Sequence, residues 1–315
     1  MSSTGYDLPH DFYQQLTLKY NEAITNGHIK FNGESKEEEL IHNENIDVVL
    51  TLLHSLQFRP EQGTKETNPF AKPEPELTII DNYGNNNEFR IIFNKFPVIA
   101  NHFMIVTQKF KSQLTPLSLS ELKATYKTLT ALKVSASEDD WFAFYNSGPQ
   151  SGASQPHKHI QFMTLPHQKG FKVFAESLAD TSESFIPNAK RDPLQNPNLP
   201  FAHYVVKLPN VIDDLDDLAL YFGSLIQSTL NTLRQNDSHD ISYNFVMTTK
   251  YMLMVPRSNG KYKDKLGINS CGIIGLILCK DDELLQLVKN DGPLAILEAI
   301  GYPNTHGQSS DEYNY

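Results

Sequence analysis

Apolar residues recur along the chain at two spacings, and the spacing changes from segment to segment. After Pro9 and again after Ser118, apolar side chains repeat every three or four residues, which predicts helices with one buried face. Short β-branched and aromatic runs bounded by Gly, Pro or Asn predict strands. The predicted helices are 9–26, 118–132, 213–234 and 281–289, and the apolar segment 293–300 follows the last of them. The predicted strands are 48–58, 77–80, 88–94, 102–107, 141–145, 157–165, 203–208, 243–248, 251–255 and 273–278.

Polar segments separate these elements. The acidic segment 32–45 is expected to be a solvated surface, and segment 61–76, rich in Pro, Gly and Glu, is expected to be a loop. Several prolines and little periodicity predict a linker over 171–200, between parts 1–170 and 201–315. Both parts contain strands and a long helix, so we predict an α+β protein with a mostly antiparallel sheet. The similar order of elements suggests an internal duplication, although no residue-level repeat is visible.

Charge and cysteine content narrow the function classes. The net charge of −10 argues against a nucleic-acid-binding protein, because such proteins need a basic face. The same charge means that an anionic substrate must be held by local cations and backbone N–H groups. Cys271 and Cys279 form no CxxC pair, which excludes a cysteine-based zinc site and fits a reducing compartment. Without a membrane-spanning apolar run or a secretory signal pattern, we expect a soluble cytoplasmic or nuclear protein that contacts no membrane.

The stretch from Asn146 to Gln161 departs from the pattern of a buried core. A loop rich in Gly, Ser and Pro follows an apolar strand and leads to His157, His159 and Gln161, which occupy alternate positions. Because residues two apart on a strand face the same side, these three side chains should share one face of the sheet. The apolar residues between and after them should anchor the opposite face. Three aligned polar side chains beside a small-residue loop predict a functional site.

Three interpretations of these histidines are open. A metal site would need a third ligand, and neither Gln161 nor His167 is well suited to supply it. Two structural histidines satisfied by backbone groups would not explain the register with Gln161 after a Ser/Gly loop. We favour nucleophilic catalysis, in which a neutral imidazole attacks phosphorus while its other nitrogen is bound to a backbone carbonyl. Hydroxyl and N–H groups of loop 151–154 would then surround the non-bridging oxygens. On the residues alone, only His159, His157, Gln161 and Asn146 stand out.

The sequence His-Lys-His-Ile-Gln at 157–161 resembles the His-x-His-x-Gln motif of the histidine-triad superfamily, in its nucleotidyltransferase branch. More closely, the chain is similar to the fungal diadenosine tetraphosphate phosphorylases, also called ATP adenylyltransferases. The further segments that carry this similarity are 94–98, 145–149, 255–258, 269–275 and 301–315. The resemblance implies a histidine-triad type of antiparallel sheet in two related halves that form one compact unit. The first half would be catalytic, and the second would complete the nucleotide site.

The resemblance also implies an activity, the reversible phosphorolysis of diadenosine 5',5'''-P1,P4-tetraphosphate to ATP and ADP, with ADP formation from adenylyl sulfate as a side reaction. His159 would attack the α-phosphorus and carry AMP, His157 would support it, and Gln161 would bind the α-phosphoryl oxygens. A glutamine has no basic nitrogen with which to activate water, which is consistent with transfer to phosphate. Expected partners are the dinucleotide, phosphate, ADP and ATP. The protein would act as a monomer, with magnesium bound through substrate phosphates, no protein metal site and no organic cofactor.

Substrate-binding positions are carried over from the family by the same resemblance. They are Arg59, Asn94, Lys95, Asn146, Gly152, Ala153, Ser154, Gln155, Gln161, Asn269, Ser270, Cys271, Leu276 and Lys280. Cys271 and Leu276 stand where the family leads us to expect Thr and Met, and Arg59 stands where it leads us to expect Lys. Taken alone, Lys95 is typical of a solvated strand end and Lys280 of a surface ion pair.

Two alternatives have other functions. A galactose-1-phosphate uridylyltransferase shares the His-x-His-x-Gln pattern, but its cysteine ligands are absent from this sequence. A non-catalytic nucleotide-binding regulator would keep the pocket without turnover. Two further histidines, His102 and His203, are interpreted as structural.

Overall fold

The computed structural model of the chain describes residues 5–30, 37–43, 45–54, 68–136, 138–183 and 192–308. The strands within these residues are β1 (Glu37–His42), β2 (Asp47–Leu52), β3 (Thr78–Tyr83), β4 (Phe89–Phe93), β5 (Phe103–Thr107), β6 (Trp141–Ser147), β7 (His159–Thr164), β8 (Tyr204–Lys207), β9 (Tyr243–Met247), β10 (Tyr251–Pro256), β11 (Lys261–Tyr262), β12 (Leu266–Gly267) and β13 (Leu276–Cys279). The helices are α1 (Phe12–Thr25), α2 (Leu119–Ser135), α3 (Phe174–Thr181), α4 (Leu218–Gln235), α5 (Ser270–Ile273), α6 (Asp282–Asp291) and α7 (Pro293–Ile300). None of the helices in this described part of the chain is both long enough and apolar enough to cross a membrane.

Eight strands form one antiparallel sheet in the order β3-β4-β5-β7-β6-β9-β10-β8. The units β5-α2-β6-β7 and β8-α4-β9-β10 have the same order of elements. Their strands lie in mirrored order on the two sides of the central β6–β9 pair, as duplication of a strand-helix-strand-strand unit would produce. The predicted fold class, α+β with an antiparallel sheet and two related halves in one unit, is confirmed. The linker boundaries at 171–200 stay a prediction.

Alternation along the strands sends apolar side chains to both faces of this sheet. Ile160 and Phe162 point to the face that α1, α2 and α4 cover. Phe142, Phe144 and Val246 point to the opposite face, where they pack with residues of α3, α6 and α7. A second sheet, in the order β1-β2-β13, covers part of this opposite face. Its β2–β13 pair is parallel and joins a strand of the first half to one of the second.

The predicted start of α2 is confirmed, and it is tied to the central motif. Oγ of Ser118 accepts from the backbone N–H of Glu121, whose carboxylate accepts in return from the backbone N–H of Ser118 at 2.7 Å. Such a capping box stabilises a helix by about 1 kcal/mol. The same carboxylate pairs with Nζ of Lys158 at 2.7 Å, and both side chains are buried. Lys158 therefore points away from the side of the two histidines that flank it and anchors the segment before β7 to α2.

Segment 32–45 is expected to be a solvated surface, and the exposed side chains of Glu37–Glu39 agree with that, but the strand that Glu37–His42 form is not among the predicted elements. These residues form strand β1, which pairs along its whole length with β2. As an edge strand, β1 meets its backbone hydrogen-bonding needs with β2 on one side and water on the other, and charged side chains are common on such edges. The three glutamates at 37–39 are all exposed, which is why their acidic sequence is compatible with a strand.

Two further segments differ from the predictions. The predicted strand 273–278 begins only at Leu276, because Ser270–Ile273 forms a helical turn. Oδ1 of Asn269 accepts from the first free N–H groups of that turn, at 3.0 Å from Cys271 and 3.4 Å from Gly272. Helix α3, which is not among the predicted helices, forms at Phe174–Thr181 and buries Phe174 in the core.

His203 directly precedes β8 and is fully buried. Its Nδ1–H donates to the carbonyl oxygen of Phe201 at 2.8 Å, and its Nε2 accepts from the backbone N–H of Asn196 at 2.8 Å. Burial lowers the pKa of His203 to about 4. The folded protein therefore holds this imidazole neutral, while the unfolded chain protonates it near its usual pKa of 6.5.

We predict that His203 makes folding sensitive to mild acid. Between its usual and its native pKa the unfolded state binds more protons, so stability falls as the pH drops through that window. At pH 5 the loss from this group is about 2 kcal/mol relative to pH 7. Urea unfolding of the wild type and of His203→Asn at both pH values measures it, since the variant should lose less stability on acidification. An equal loss in both proteins would contradict the prediction.

Candidate active site

His159 opens β7 and lies opposite Val106 of β5. Its Nδ1 is 2.8 Å from the carbonyl oxygen of His157. A carbonyl oxygen can only accept, so Nδ1 carries the proton and Nε2 keeps its lone pair. The backbone of His159 is also fixed, because its N–H donates to Oε1 of Gln113 at 2.9 Å. Among the described residues, no group forms a hydrogen bond with Nε2.

The charge state of His159 follows from its burial, since only 3% of the residue is exposed. Desolvation is the largest effect and lowers the pKa of His159 to about 4, while the hydrogen bond to the His157 carbonyl acts in the opposite direction. The imidazole is therefore neutral at physiological pH. A neutral imidazole with a defined tautomer and an uncommitted Nε2 is a nucleophile or a general base.

The ring of His157 is held by contacts of its own. The backbone N–H of Phe70 donates to Oδ1 of Asn68 at 3.0 Å, so Nδ2 of Asn68 is the donor that faces Nδ1 of His157 at 2.9 Å. Nδ1 of His157 therefore accepts, and its Nε2–H donates to the carbonyl oxygen of Thr107 at 2.9 Å. The contact from His157 to His159 is consequently made by the backbone carbonyl and not by the ring.

The predicted alignment on one face agrees with the structure. The ring centroid of Phe70 lies 6.1 Å from that of His157 and 5.1 Å from that of His159. Gln161 follows two residues later on β7 and lies opposite Met104 on one neighbouring strand and Phe144 on the other. Its Oε1 is 3.1 Å from Nε2 of a buried histidine, His102.

The loop after β6 is pressed against the second half of the chain. Gly148 and Gly152 have φ values of 90° and 77°, a region that favours glycine. A Cβ atom on Gly152 would lie 2.9 Å from the carbonyl oxygen of Ile268. The carbonyl oxygen of Ser151 accepts from Nδ2 of Asn244 at 2.8 Å. Of the predicted loop residues, Gly152 and Ser154 are exposed, while Ala153 and Gln155 are partly exposed.

Asn146 and Ser270, which lie far apart in the sequence, meet beneath this loop. Oδ1 of Asn146 accepts from the backbone N–H of Ser270 at 3.0 Å, from its hydroxyl at 2.7 Å and from Nδ2 of Asn244 at 2.8 Å. The site residues predicted in the two halves are thus joined directly. The Asn146 amide oxygen is occupied by these contacts, which orient the side chain.

Arg257 holds this junction from behind. Its guanidinium is buried and donates to Oδ1 of Asn244 and to the carbonyl oxygens of Ile268 at 2.9 Å, Asn259 at 2.7 Å and Ile300 at 3.3 Å. Within the described residues no carboxylate pairs with it. Burial lowers the pKa of Arg257 to about 9, so it remains a cation at neutral pH. Arg257 therefore acts as a fixed internal support for this junction.

A cavity of about 420 Å³ opens where the face of β7 continues past Gln161. Met163, the next residue on that face, lines it. The other lining residues are Glu38, Val49, Thr51, Val98, Ile99, Thr164, Leu165, Pro166, His167, Gln168, Cys271, Leu276 and Leu278. Cys271 and Leu276, both predicted site residues, thus share one largely apolar cavity. Its size and composition suit a planar organic group such as a nucleobase.

Four predicted substrate-binding residues remain, of which three lie within the described residues and one lies outside them. Oδ1 of Asn94 accepts from the backbone N–H of Phe96 at 3.0 Å, and its Nδ2 faces His102. Lys95 forms an ion pair with Glu74. Lys280 is exposed directly after β13. Arg59 lies outside the described residues.

Glu74 also belongs to a cluster of three residues that could hold a metal ion, which lies among the described residues. One ligand atom each of His28, Glu74 and Glu76 lie within 4.8 Å of one another. Lys95 already donates to Glu74, and this hydrogen bond is the main cause that lowers the pKa of its carboxyl group. The cluster is partly exposed, and Glu74 in it already contacts both His28 and Lys95.

Gln113 is the residue of the site that sequence reasoning missed most completely. It is buried, and its Nε2 donates to the carbonyl oxygens of Asn146 at 2.9 Å and His159 at 3.3 Å. No local pattern distinguishes this glutamine. Asn68 had a detectable signal, because Asn68-Pro69-Phe70 repeats the Asn-x-Phe pattern of residues 94–96.

Comparison with known proteins matches both halves. Residues 6–179 match the family model described as the Ap4A phosphorylase N-terminal domain, and residues 197–303 match the ATP adenylyltransferase C-terminal domain. Protein APA1 of Saccharomyces cerevisiae is 35% identical over 98% of this chain and 99% of its own length. Diadenosine 5',5'''-P1,P4-tetraphosphate phosphorylase 2 of the same organism is 34% identical over 96% of this chain and 98% of its own length.

The crystal structure of yeast Ap4A phosphorylase Apa2 in complex with AMP has a TM-score of 0.84 at 33% identity, covering 95% of this chain and 99% of that chain. The Apa2 complex with Ap4A has a TM-score of 0.83 at 33% identity, covering 94% and 98%.

We predict that His159 stays in the neutral Nδ1–H form well below neutral pH. Nitrogen-15 spectra of histidine-labelled protein, with the signals assigned by comparison with His159→Gln, report tautomer and titration directly. The protonated nitrogen of His159 should be Nδ1, and the ring should titrate near its lowered pKa of about 4. A pKa close to 6.5, or a proton on Nε2, would show that burial and the His157 carbonyl do not control this ring.

Proposed function

This chain belongs to the Ap4A phosphorylase family. From that membership we propose that it catalyses the reversible phosphorolysis of diadenosine 5',5'''-P1,P4-tetraphosphate (Ap4A) to ATP and ADP. The observation that carries the proposal is the state of His159, a buried neutral imidazole whose Nδ1–H is bound and whose Nε2 forms no hydrogen bond with any described residue. Relatives bound to AMP and to Ap4A support a nucleotide as the substrate.

In the first step, the lone pair on Nε2 of His159 attacks an α-phosphorus of Ap4A. The bond from that phosphorus to the oxygen bridging to the β-phosphorus breaks, and its electron pair leaves with ATP. AMP remains bound to His159 through a P–N bond, and the ring gains positive charge. The hydrogen bond from Nδ1–H to the His157 carbonyl strengthens as this charge develops, which lowers the barrier.

In the second step, an oxygen of inorganic phosphate attacks the same phosphorus from the side that ATP has left. The P–N bond breaks, its electrons return to Nε2, and ADP is released. Two in-line displacements give overall retention of configuration at phosphorus. Because His159 ends each cycle in its starting form, no proton has to be stored in the site.

Donors around the α-phosphoryl oxygens would come from both sides of His159. Gln161 lies two residues further on the same strand face, and the loop after β6 offers exposed backbone and the hydroxyl of Ser154. The second half of the chain fixes that loop through Asn244 and Arg257. The two halves are therefore both required for the phosphate cradle.

The cavity beyond Gln161 would hold the adenine of the transferred AMP. It follows Gln161 along β7 by way of Met163, so a nucleotide can place its base there and its α-phosphate beside His159. The apolar walls, including Leu276 and Cys271, would pack against the faces of the ring. Leu276 is as apolar as the Met expected in the family, so this departure preserves the character of the wall.

Magnesium is proposed as a companion of the substrate. The side chains placed around His159 are imidazoles and amides, which suit phosphoryl oxygens better than a hard cation. A magnesium ion would therefore be held by the polyphosphate oxygens and water, where it would neutralise part of the charge on the leaving ATP.

A uridylyltransferase activity is less well supported. Diadenosine tetraphosphate phosphorylase 2 and Apa2, which are both named for Ap4A, are similar to this chain over almost its whole length, and the described residues of the site show no feature that favours a uracil nucleotide over an adenine nucleotide.

We predict that Ap4A and phosphate give equal amounts of ATP and ADP. Without phosphate, the enzyme should release one ATP per active site and retain an acid-labile AMP label. His159→Asn should lower both by about 1000-fold or more. His203→Asn is a matched control, since His203 makes the same Nδ1 contact but lies outside the site. AMP with ATP, or two ADP, as the products would identify a hydrolase and contradict the proposal.

We also predict that Gln161→His diverts the adenylyl group to water. A second imidazole beside the P–N bond supplies a base that glutamine lacks, so the ratio of AMP to ADP formed at fixed phosphate should rise about tenfold. Gln161→Asn serves as the control, because it should slow the reaction without changing the ratio. An unchanged ratio of AMP to ADP in Gln161→His would show that Gln161 does not suppress hydrolysis.

A further inference from the structure

We propose that His102 is a positioning residue that sets the orientation of the Gln161 amide, so that the NH₂ group and not the oxygen faces the substrate phosphoryl group. A primary amide has nearly the same shape in its two orientations, although one presents donors and the other an acceptor. Only the donor orientation suits an anionic phosphoryl oxygen. Some neighbour must therefore select the orientation.

The orientation of the Asn94 amide can be assigned first, because a backbone N–H group can only donate a hydrogen bond. The N–H of Phe96 donates to Oδ1 of Asn94 at 3.0 Å. This contact identifies the oxygen of the Asn94 amide, so the other end is the NH₂ group. That NH₂ nitrogen lies 3.4 Å from Nδ1 of His102. Nδ1 of His102 is accordingly the acceptor of a long hydrogen bond.

The tautomer of His102 follows from that contact. A neutral imidazole carries one proton, and with Nδ1 accepting, the proton lies on Nε2. Nε2 of His102 is 3.1 Å from Oε1 of Gln161, so the histidine donates and the amide oxygen accepts. The NH₂ group of Gln161 then points away from His102. No other described residue forms a hydrogen bond with it, and the side chain is only partly buried.

A second site in the same protein uses the same device. Asn68 accepts from the N–H of Phe70 and donates to Nδ1 of His157, which places the proton of His157 on Nε2. That histidine donates to the carbonyl of Thr107, a purely structural partner. His102 differs in that its donor is directed at a side chain of the motif itself. The geometry therefore assigns His102 a part in the reaction that exceeds packing.

The consequence for catalysis rests on the proposed function. With the amide fixed as a donor, Gln161 would bind the α-phosphoryl oxygen as charge shifts onto it, and would do so without reorientation. Losing the restraint from His102 would allow the inverted amide, whose oxygen repels the phosphoryl oxygen. A charge-assisted hydrogen bond of this kind corresponds to about 10- to 100-fold in rate.

The first test is independent of activity. In nitrogen-15 spectra assigned with His102→Gln, His102 should show its proton on Nε2, the opposite tautomer to His159 in the same protein. A proton on Nδ1 of His102 would overturn the proposal even if the enzyme phosphorolyses Ap4A. Failure of phosphorolysis in the wild type would count against the proposed function and leave this tautomer result standing.

The second test is a double-mutant cycle on the adenylylation rate. His102→Leu removes the donor and should lower kcat about 10- to 100-fold with little change in KM, whereas His102→Gln keeps an N–H near the position of Nε2 and should restore most of the rate. In a Gln161→Ala background, His102→Leu should have no further effect. Additive losses in the cycle, or equal losses in the Leu and Gln variants, would assign His102 a structural role and overturn the proposal.

Discussion

The hydrogen bond from Nδ1 of His159 to the carbonyl oxygen of His157 is the contact on which the proposed chemistry depends. A carbonyl cannot donate, so the bond leaves Nε2 as the only nitrogen with a lone pair. Burial then keeps the ring neutral, because desolvation lowers its pKa to about 4. Neither effect would suffice alone, since a neutral ring in the wrong tautomer and a protonated ring are both poor nucleophiles. The sheet supplies both at one residue.

The duplicated architecture shows why the proposed chemistry is assigned to one half only. His203 makes the same contact as His159, from Nδ1 to the carbonyl oxygen two residues earlier, at the same distance of 2.8 Å. Its Nε2, however, accepts from the N–H of Asn196 and is no longer available. The second half instead supports the first, through the contacts of Arg257 and Asn244 with Asn146 and the adjoining loop. The one difference at Nε2 therefore separates the proposed nucleophile, His159, from a histidine whose two nitrogens are both engaged.

The sequence alone was sufficient to predict features that depend on residues close together in the chain. Short β-branched and aromatic runs identified the strands, alternation identified the shared face of His159 and Gln161, and the apolar repeat after Ser118 identified the helix that forms α2. The sequence was insufficient where a residue acts through distant partners. Gln113 looks like any loop glutamine until β6 and β7 bring two carbonyls and an N–H to its amide. Strand β1 was missed for a related reason, because an acidic edge strand is stabilised by its neighbour and not by its own composition.

The contacts of the lysines and of Arg257 also indicate how an acidic protein would bind a polyanion. Lys95 lies in segment 94–98 and Lys158 in the motif at 157–161, and they already pair with Glu74 and Glu121, respectively. A lysine engaged in this way contributes little net attraction, whereas a fixed neutral donor to a charged acceptor is worth about 1.5–3 kcal/mol. Arg257 is a different kind of cation, buried behind Asn244 with no carboxylate partner among the described residues. Its field is weakly screened there, so it would reinforce oriented amides at the proposed phosphate site without neutralising the surface of the protein.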